Sequence, residues 1–346
     1  MVKLALHKEE KKINNYDEMI MAASFMEEAI NELQDYKDKD LGIIFDYDFI
    51  EEKSFGYKLL GGIDSTLVDA LIDENGRNNF NSKLSALNPD LAAVITNEFI
   101  SLGLDSTSVA AISFTGSYPG ANIAVLSACK TLGINTMVIS SNNASKFGAT
   151  DTLFFWLDMQ SKLVELDIFQ IYFDLYDDTF IAEKRIELYE KNTNDIDIYI
   201  NVGWPSKNPK SEGIRDAINE KKKKDDIYST IWIDRSQLKE ELDYKFDFED
   251  LDNEVFYKFL DKNIQIFNID NMKHIADVYD LPFPHKGSIG NKLGKTNSIY
   301  TIEGRYNRSI VIMAIVLSIL NIIIVGVYSY KEMNKRMLSS DPETIL

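Results

Sequence analysis

The sequence predicts an α/β fold, in which a three-layer, mostly parallel sheet domain is followed by one C-terminal transmembrane helix. Apolar runs of strand length alternate with amphipathic segments through most of the 346 residues. Residues 108–140 are the clearest example, because an apolar run, a loop, a helical segment and a second apolar run follow one another there. A connection of this kind favours parallel strands joined by a right-handed crossover. An uncharged stretch at residues 309–330 predicts the membrane span.

Three helices are predicted before the sheet. The first covers residues 15–37, where apolar side chains recur every three or four residues. Those side chains are Met19, Ala22, Ala23, Met26, Ala29, Ile30 and Leu33. A second helix begins near Thr66, with Asp64 or Ser65 as its N-terminal cap. A third covers residues 90–102 and ends before a glycine.

The central unit is a strand at residues 108–114, a helix at 121–132 that Gly133 ends, and a strand at 135–140. The alternation of helices and strands continues beyond it. Further helices are predicted at residues 153–166, 180–192, 211–223, 254–262 and 271–281. Further strands are predicted at residues 168–173, 196–202, 227–233 and 264–267.

The segment at residues 309–330 has the length and composition of a membrane span. It carries no charge, and as a helix it would be about 33 Å long, enough to cross a hydrocarbon core of about 30 Å. A buried core helix is the alternative, but such helices are usually shorter and keep a polar edge. Cationic residues flank both ends, so the positive-inside rule does not decide the orientation. The N-terminal apolar stretch is too short for a signal sequence or a span, so a single anchor is expected.

The predicted organisation has five parts, which differ in composition and periodicity. They are an amphipathic helix with an irregular lead-in at residues 1–60, the α/β domain at 61–286, a stalk at 287–308, the transmembrane helix at 309–330 and a polar tail at 331–346.

The net charge, the single cysteine and the spacing of the histidines argue against nucleic-acid binding, a reactive thiol and a zinc site. The formal net charge of −18 argues against nucleic-acid binding, which depends on cationic contacts to phosphates. The single cysteine, Cys129, lies in an apolar helical pattern and is expected to be buried and inert. His274 and His285 do not have the spacing of a zinc helix, and no Cys/His cluster accompanies them. The sequence therefore predicts no metal site and no cofactor.

The loop at residues 115–120, which reads TGSYPG, is the strongest candidate for a binding site. It lies between a predicted strand and a predicted helix, where open α/β sheets bind ligands and where unpaired N–H groups of the first helical turn favour a negative or carbonyl group. The loop does not match a phosphate-binding loop, a dinucleotide fingerprint or a nucleophile elbow. A purely structural turn is an equal alternative at this point.

Three segments carry a resemblance to a known family. Residues 115–122 read TGSYPGAN, residues 141–149 read SNNASKFGA, and residues 156–159 read WLDM. They are similar, in this order, to the TGS-aromatic-PG-x-N loop, the S-x-x-A-S-x-aromatic-G-A segment and the aromatic-W-L-D-M helix of the bacterial poly-γ-glutamate system protein. Weaker likeness at residues 62–94 and 269–283 extends the resemblance over about residues 20–330.

The resemblance implies a membrane-anchored accessory component of a system that synthesises or exports poly-γ-glutamate. It also implies other membrane subunits as partners and an extracytoplasmic α/β domain. The candidate ligand-binding residues are Thr115, Gly116, Ser117, Gly120, Asn122, Ser141, Asn143 and Ser145. Secondary candidates are Asp64, Ser65, Thr66, Trp156 and Asp158.

Two other functions stay open from the residues alone. One is a hydrolase or acyl-transfer enzyme that acts on the polymer through Ser117 or Thr115, although the local sequence offers no base for either hydroxyl. The other is an anchored α/β domain whose Ser/Gly loops have a purely structural role.

Overall fold

A computed structural model of the chain describes residues 11–42, 55–61, 80–171, 173–177, 181–193, 195–203, 213–214, 245–246, 251, 254–284, 298–302 and 308–338. The chain divides into two units. The larger unit is Asn14–Ile299, and the smaller one combines Met1–Ile13 with Tyr300–Leu346.

The larger unit is built on a five-stranded sheet in which every strand is parallel to its neighbours. The spatial order of the strands is β3-β2-β1-β4-β5, the order of a doubly wound α/β sheet. This architecture confirms the predicted fold class. The strands are β1 (Val109–Phe114), β2 (Asn135–Ser140), β3 (Phe173–Tyr176), β4 (Ile198–Val202) and β5 (Gln265–Ile269).

The central strands are apolar because both faces of the sheet are covered. In β1, Ala110, Ile112 and Phe114 point into one hydrophobic core, and Ala111 belongs to the other. Successive side chains of a strand alternate between the two faces, so a strand covered on both sides needs apolar residues at nearly every position. This explains why β1 reads as a continuous apolar run.

Helices cover both faces and complete the three layers. The first core includes side chains from α1 (Tyr16–Lys39), α2 (Phe80–Ser85), α3 (Asp90–Ser101), α4 (Pro119–Leu132), α5 (Trp156–Glu165) and α8 (Met272–Tyr279). The second core includes side chains from α6 (Ala182–Glu190) and α7 (Val255–Asp261). All seven apolar positions predicted for the first helix are buried.

One predicted strand is wrong. A strand was expected at residues 168–173, but β3 begins at Phe173 and pairs with β2 from there. Ile168 and Phe169 are instead buried directly after α5, where their N–H groups donate to the carbonyl oxygen of Leu163. These side chains are apolar because they pack in the first core, not because they belong to a strand. Hydrophobicity alone does not distinguish a buried loop residue from a buried strand residue.

Other predicted elements lie partly or wholly outside the described residues. These are the helix near Thr66, most of the helix at residues 211–223, the strand at 227–233 and most of the stalk at 287–308.

In the smaller unit, a two-residue strand at Lys11–Lys12 pairs antiparallel with Thr301–Ile302. Helix α9 (Arg308–Leu338) follows, and it includes the predicted span. Within the described part of the chain it is the one helix long and apolar enough to cross a membrane, by length and composition, over Ile315–Leu338.

Cys129 on α4 is buried, with 1% of its surface exposed. Burial raises the pKa of its thiol well above the usual range, so the thiolate that reacts with alkylating reagents is scarce. We expect no labelling of the native chain by iodoacetamide at pH 8, and one label per chain after denaturation, measured by intact mass. Rapid labelling of the native chain would contradict the burial of this residue.

Candidate functional site

The predicted binding residues lie at the carboxyl-terminal edge of the sheet, where two neighbouring strands end. The β1 loop, residues 115–118, joins β1 to α4, and the β2 loop, residues 141–155, joins β2 to α5. Because β1 and β2 are adjacent and parallel, with Phe114 paired to Ser140, both loops leave the sheet at the same level. The fold therefore brings together segments that the sequence separates.

The two loops are joined by backbone contacts at glycines. The N–H of Gly116 donates to the carbonyl oxygen of Asn143 at 2.9 Å, and the N–H of Ala149 donates to the carbonyl oxygen of Gly116 at 2.7 Å. A Cβ atom on Gly148 would lie 2.4 Å from the carbonyl oxygen of Gly116, closer than any side chain allows. The β1 loop and the β2 loop thus form one interlocked unit.

Thr115 and Asn122 are buried beneath this unit. The Thr115 hydroxyl donates to the carbonyl oxygen of Val202 at 3.3 Å and accepts from the N–H of Ser117 at 3.2 Å. The Asn122 side-chain N–H donates to the carbonyl oxygen of Thr115 at 2.9 Å, while its amide oxygen has no hydrogen-bond partner. Both side chains hold the β1 loop from below and do not present their hydrogen-bonding groups to solvent.

The serines of the two loops are more accessible. Ser117 and Ser145 are half-buried, and the Ser117 hydroxyl accepts from the N–H of Ser145 at 3.0 Å. Ser141 is buried, and its hydroxyl accepts from the N–H of Asn143 at 2.9 Å. Asn143 is exposed. Among the candidates, the side chains that a ligand could reach are therefore those of Ser117, Asn143 and Ser145.

Gly120 has a different role in the structure. It lies in the first turn of α4, and a Cβ atom there would be 2.4 Å from the carbonyl oxygen of Ala86. The glycine allows the connection between α2 and α3 to pack closely against the start of α4. Gly120 therefore faces packed backbone and not the rest of the candidate residues.

Lys83 is a member of this site that the sequence did not reveal. It lies on α2, is 1% exposed, and places its ammonium nitrogen 2.7 Å from the hydroxyl oxygen of Ser145. The same nitrogen lies 3.4 Å from the ring centroid of Tyr118. Lys83 and Ser145 are 62 positions apart, and no local pattern marks either as the partner of the other.

The secondary candidates divide into two groups. Asp64, Ser65 and Thr66 lie outside the described residues. Trp156 is buried, and its indole N–H donates to the hydroxyl of Ser140 at 3.3 Å. Asp158 accepts the N–H of Phe155 at 2.7 Å and so caps the start of α5. Trp156 and Asp158 thereby set where the β2 loop ends.

The strand order places a topological switch between β1 and β4, since the chain proceeds from β1 to one side of the sheet and from β4 to the other. Ligands of doubly wound sheets bind above such a switch. Here Gly203, directly after β4, has a φ of 77°, and a Cβ atom on it would lie 2.4 Å from the Thr115 hydroxyl oxygen. The Thr115 side chain thus packs directly against Gly203, between the ends of β1 and β4.

A buried ion pair anchors the far end of the β2 loop to α1. The Lys37 ammonium lies 2.9 Å from the carboxylate of Asp151 and donates to the carbonyl oxygen of Lys58 at 2.8 Å. Burial lowers the pKa of Lys37, and the contact with Asp151 opposes that shift. Lys37 is 1% exposed, so the pair is shielded from the screening that weakens surface ion pairs.

A pocket of 610 Å³ lies at the opposite, amino-terminal edge of the sheet, away from the two loops. It opens between the end of α4, the start of β2 and the segment after α5, and Thr136 and Lys130 are among its lining residues. The Thr136 hydroxyl is buried without a hydrogen-bond partner. The Lys130 ammonium donates to the carbonyl oxygen of Ile168 across the pocket wall.

Comparison of the chain with models of protein families, with curated proteins and with solved structures finds no match.

Substituting Gly148 by alanine tests the interlock of the two loops. The added methyl would overlap the carbonyl oxygen of Gly116, so the free energy of unfolding should fall by about 1–3 kcal/mol. Gly213→Ala is the matched control, because the nearest atom to its new methyl is 3.7 Å away. Chemical denaturation of both variants measures the difference. Equal stabilities would show that the loops are not held at this contact.

Substituting Lys37 by methionine tests the ion pair. Removing one partner leaves the Asp151 carboxylate without its buried cation, so the free energy of unfolding should fall by about 3–5 kcal/mol. Lys39→Met is the control on the same helix, since its pair with Asp35 is exposed and should be worth less than about 1 kcal/mol. Similar losses for the two variants in urea denaturation would contradict the assigned anchoring role of Lys37.

Proposed function

We propose that the protein is a membrane-anchored accessory component of a bacterial system that synthesises or exports poly-γ-glutamate. In this proposal, the α/β domain binds a partner subunit or a short, uncharged part of the polymer through the interlocked β1 and β2 loops. The protein acts by holding that partner near the membrane.

The observation that carries the proposal is that the family-like motifs are the same segments that form the interlocked loops. Gly116 lies in the first motif, and Gly148 and Ala149 lie in the second. These three residues make the backbone contacts that join the loops. Two motifs far apart in sequence thus serve one surface at the carboxyl-terminal edge of the sheet, where α/β sheets bind ligands.

The apolar part of α9 supports a location at a membrane. Ile315–Leu338 is long and apolar enough to cross a bilayer, and the side chains of its most apolar window are not buried. A single span of this kind would tether the α/β domain to the membrane. The resemblance favours the extracytoplasmic side for that domain.

Charge limits which part of the polymer the domain would hold. A chain with a formal charge of −18 repels a long polyanion, most strongly at low ionic strength. The accessible side chains of the loops, Ser117, Asn143 and Ser145, offer neutral hydrogen-bond donors and acceptors. These groups fit a protein partner or an uncharged chain end better than the bulk of the polymer.

The two alternatives are less well supported. An enzyme that uses Thr115 or Ser117 as its nucleophile needs a base beside that hydroxyl. The described hydrogen bonds of both hydroxyls are with backbone groups, and none is with a base. A purely structural role for the loops accounts for Thr115 and Asn122, which are buried. The proposed binding role adds a use for Asn143, an exposed amide on the interlocked loops that a partner could contact.

Co-purification from native membranes in mild detergent tests the proposal. The full-length protein should retain a ligase or export subunit, and Asn143→Arg should reduce that retention at least tenfold by placing a bulky cation on the exposed loop. Asn135→Arg is the matched control, because Asn135 is an exposed asparagine at the opposite edge of the sheet.

Loss of the gene should also reduce cell-associated poly-γ-glutamate, and the Asn135→Arg protein should restore it. A wild-type chain that purifies alone, or equal retention by the two variants, would count against the proposed function.

A further inference from the structure

We propose that Ser145 and Lys83 form a nucleophile and general-base pair for acyl transfer, an activity that goes beyond the binding role proposed above. The substrate class is an amide or ester of a carboxylic acid. The pair lies at the carboxyl-terminal edge of the sheet, on the surface of the interlocked loops.

The distance between the two groups is that of an activated nucleophile. The Lys83 nitrogen lies 2.7 Å from the Ser145 hydroxyl oxygen, within the range over which a base removes the proton of a nucleophile. Phe80, one turn before Lys83 on α2, packs edge-on against Phe147 with ring centroids 5.9 Å apart. Because α2 contacts the β2 loop at both positions, the lysine is held in register with the serine.

The environment of Lys83 suits a base that gains a charge when it accepts a proton. The side chain is 1% exposed, so its nitrogen is held away from bulk water next to the serine. The nitrogen also lies 3.4 Å from the ring centroid of Tyr118. The negative face of that ring would stabilise the ammonium that forms when the lysine accepts a proton.

The backbone beside Ser145 offers hydrogen-bond donors for a substrate carbonyl. Ser145 is half-buried, and its N–H is held by the Ser117 hydroxyl, which fixes the backbone at the nucleophile. The N–H groups of the next two residues, Lys146 and Phe147, make no hydrogen bond within the described part of the chain. Phe147 has a φ of 64°, so the loop turns sharply at this point. Two unpaired N–H groups beside a nucleophile are the kind of donors that stabilise an oxyanion.

These groups would carry out acyl transfer in two steps, through an acyl group held on Ser145. The Ser145 oxygen attacks the carbonyl carbon and its proton passes to the Lys83 nitrogen. The bond from that carbon to the leaving nitrogen or oxygen then breaks, and Lys83 returns the proton to the leaving amine or alcohol. Water attacks the acyl group on Ser145 in the second half of the reaction, giving one proton to Lys83. Release of the carboxylic acid restores the serine hydroxyl as it regains that proton.

Covalent labelling of the full-length protein in detergent micelles tests this pair. An alkyl fluorophosphonate should form one adduct, with loss of fluoride, and peptide mapping should place it on Ser145. The labelling rate should rise with pH as the lysine loses its proton. Ser145→Ala should abolish the adduct.

Lys83→Arg separates the base from a merely structural cation, because arginine keeps the charge and cannot accept a proton. We expect this variant to label at least a hundredfold more slowly. Lys130→Arg is the matched control, since Lys130 also donates to an oxygen atom and lies at the opposite edge of the sheet. It should label at the wild-type rate.

Absence of a wild-type adduct at every pH, an adduct elsewhere than on Ser145, or wild-type labelling by a folded Lys83→Arg protein would overturn the inference. If Lys83→Arg does not fold, the wild-type pH profile decides, and a rate that does not rise with pH overturns it. Co-purification with membrane subunits does not depend on the Ser145 hydroxyl acting as a nucleophile. The labelling result and the proposed binding function can therefore fail separately.

Discussion

The close approach of Gly148 to the carbonyl oxygen of Gly116 is the constraint on which the rest of the site depends. It lets the β2 loop lie directly on the β1 loop, so that hydrogen bonds from Gly116 and Ala149 join the two backbones. Ser117 and Ser145 meet because of this contact, and the lysine on α2 reaches Ser145 because the β2 loop is held there. A side chain at Gly148 would separate all of these groups.

The fold was largely predictable because buried parallel strands leave a strong hydrophobic pattern. The strand at residues 108–114 and the helix that Gly133 ends were predicted to within two residues of β1 and of the start of α4. The prediction of a strand at residues 168–173 was wrong, because Ile168 and Phe169 are apolar for a different reason: they pack in the first core. Hydrophobicity reports burial, and it does not report which element is buried.

The site was predictable only where its residues are neighbours in sequence. The loop motifs marked Ser117 and Ser145, but the hydrogen bond between them requires the pairing of β1 with β2. No sequence pattern indicated that Lys83 belongs to the site. Its partner lies 62 positions away, and a lysine on a short helix is expected to be a surface residue. The distinction between Asn143, which is exposed, and Asn122, which is buried, also depends on tertiary packing that spacing does not encode.

Site-specific photocrosslinking in native membranes tests most directly whether the interlocked loops are a binding surface. A photoreactive amino acid would replace Asn143 in the full-length protein, and in a control protein it would replace Asn135 at the opposite edge of the sheet. We predict a discrete crosslink to another subunit from position 143 and none from position 135. No crosslink from position 143, or the same product from both positions, would contradict it.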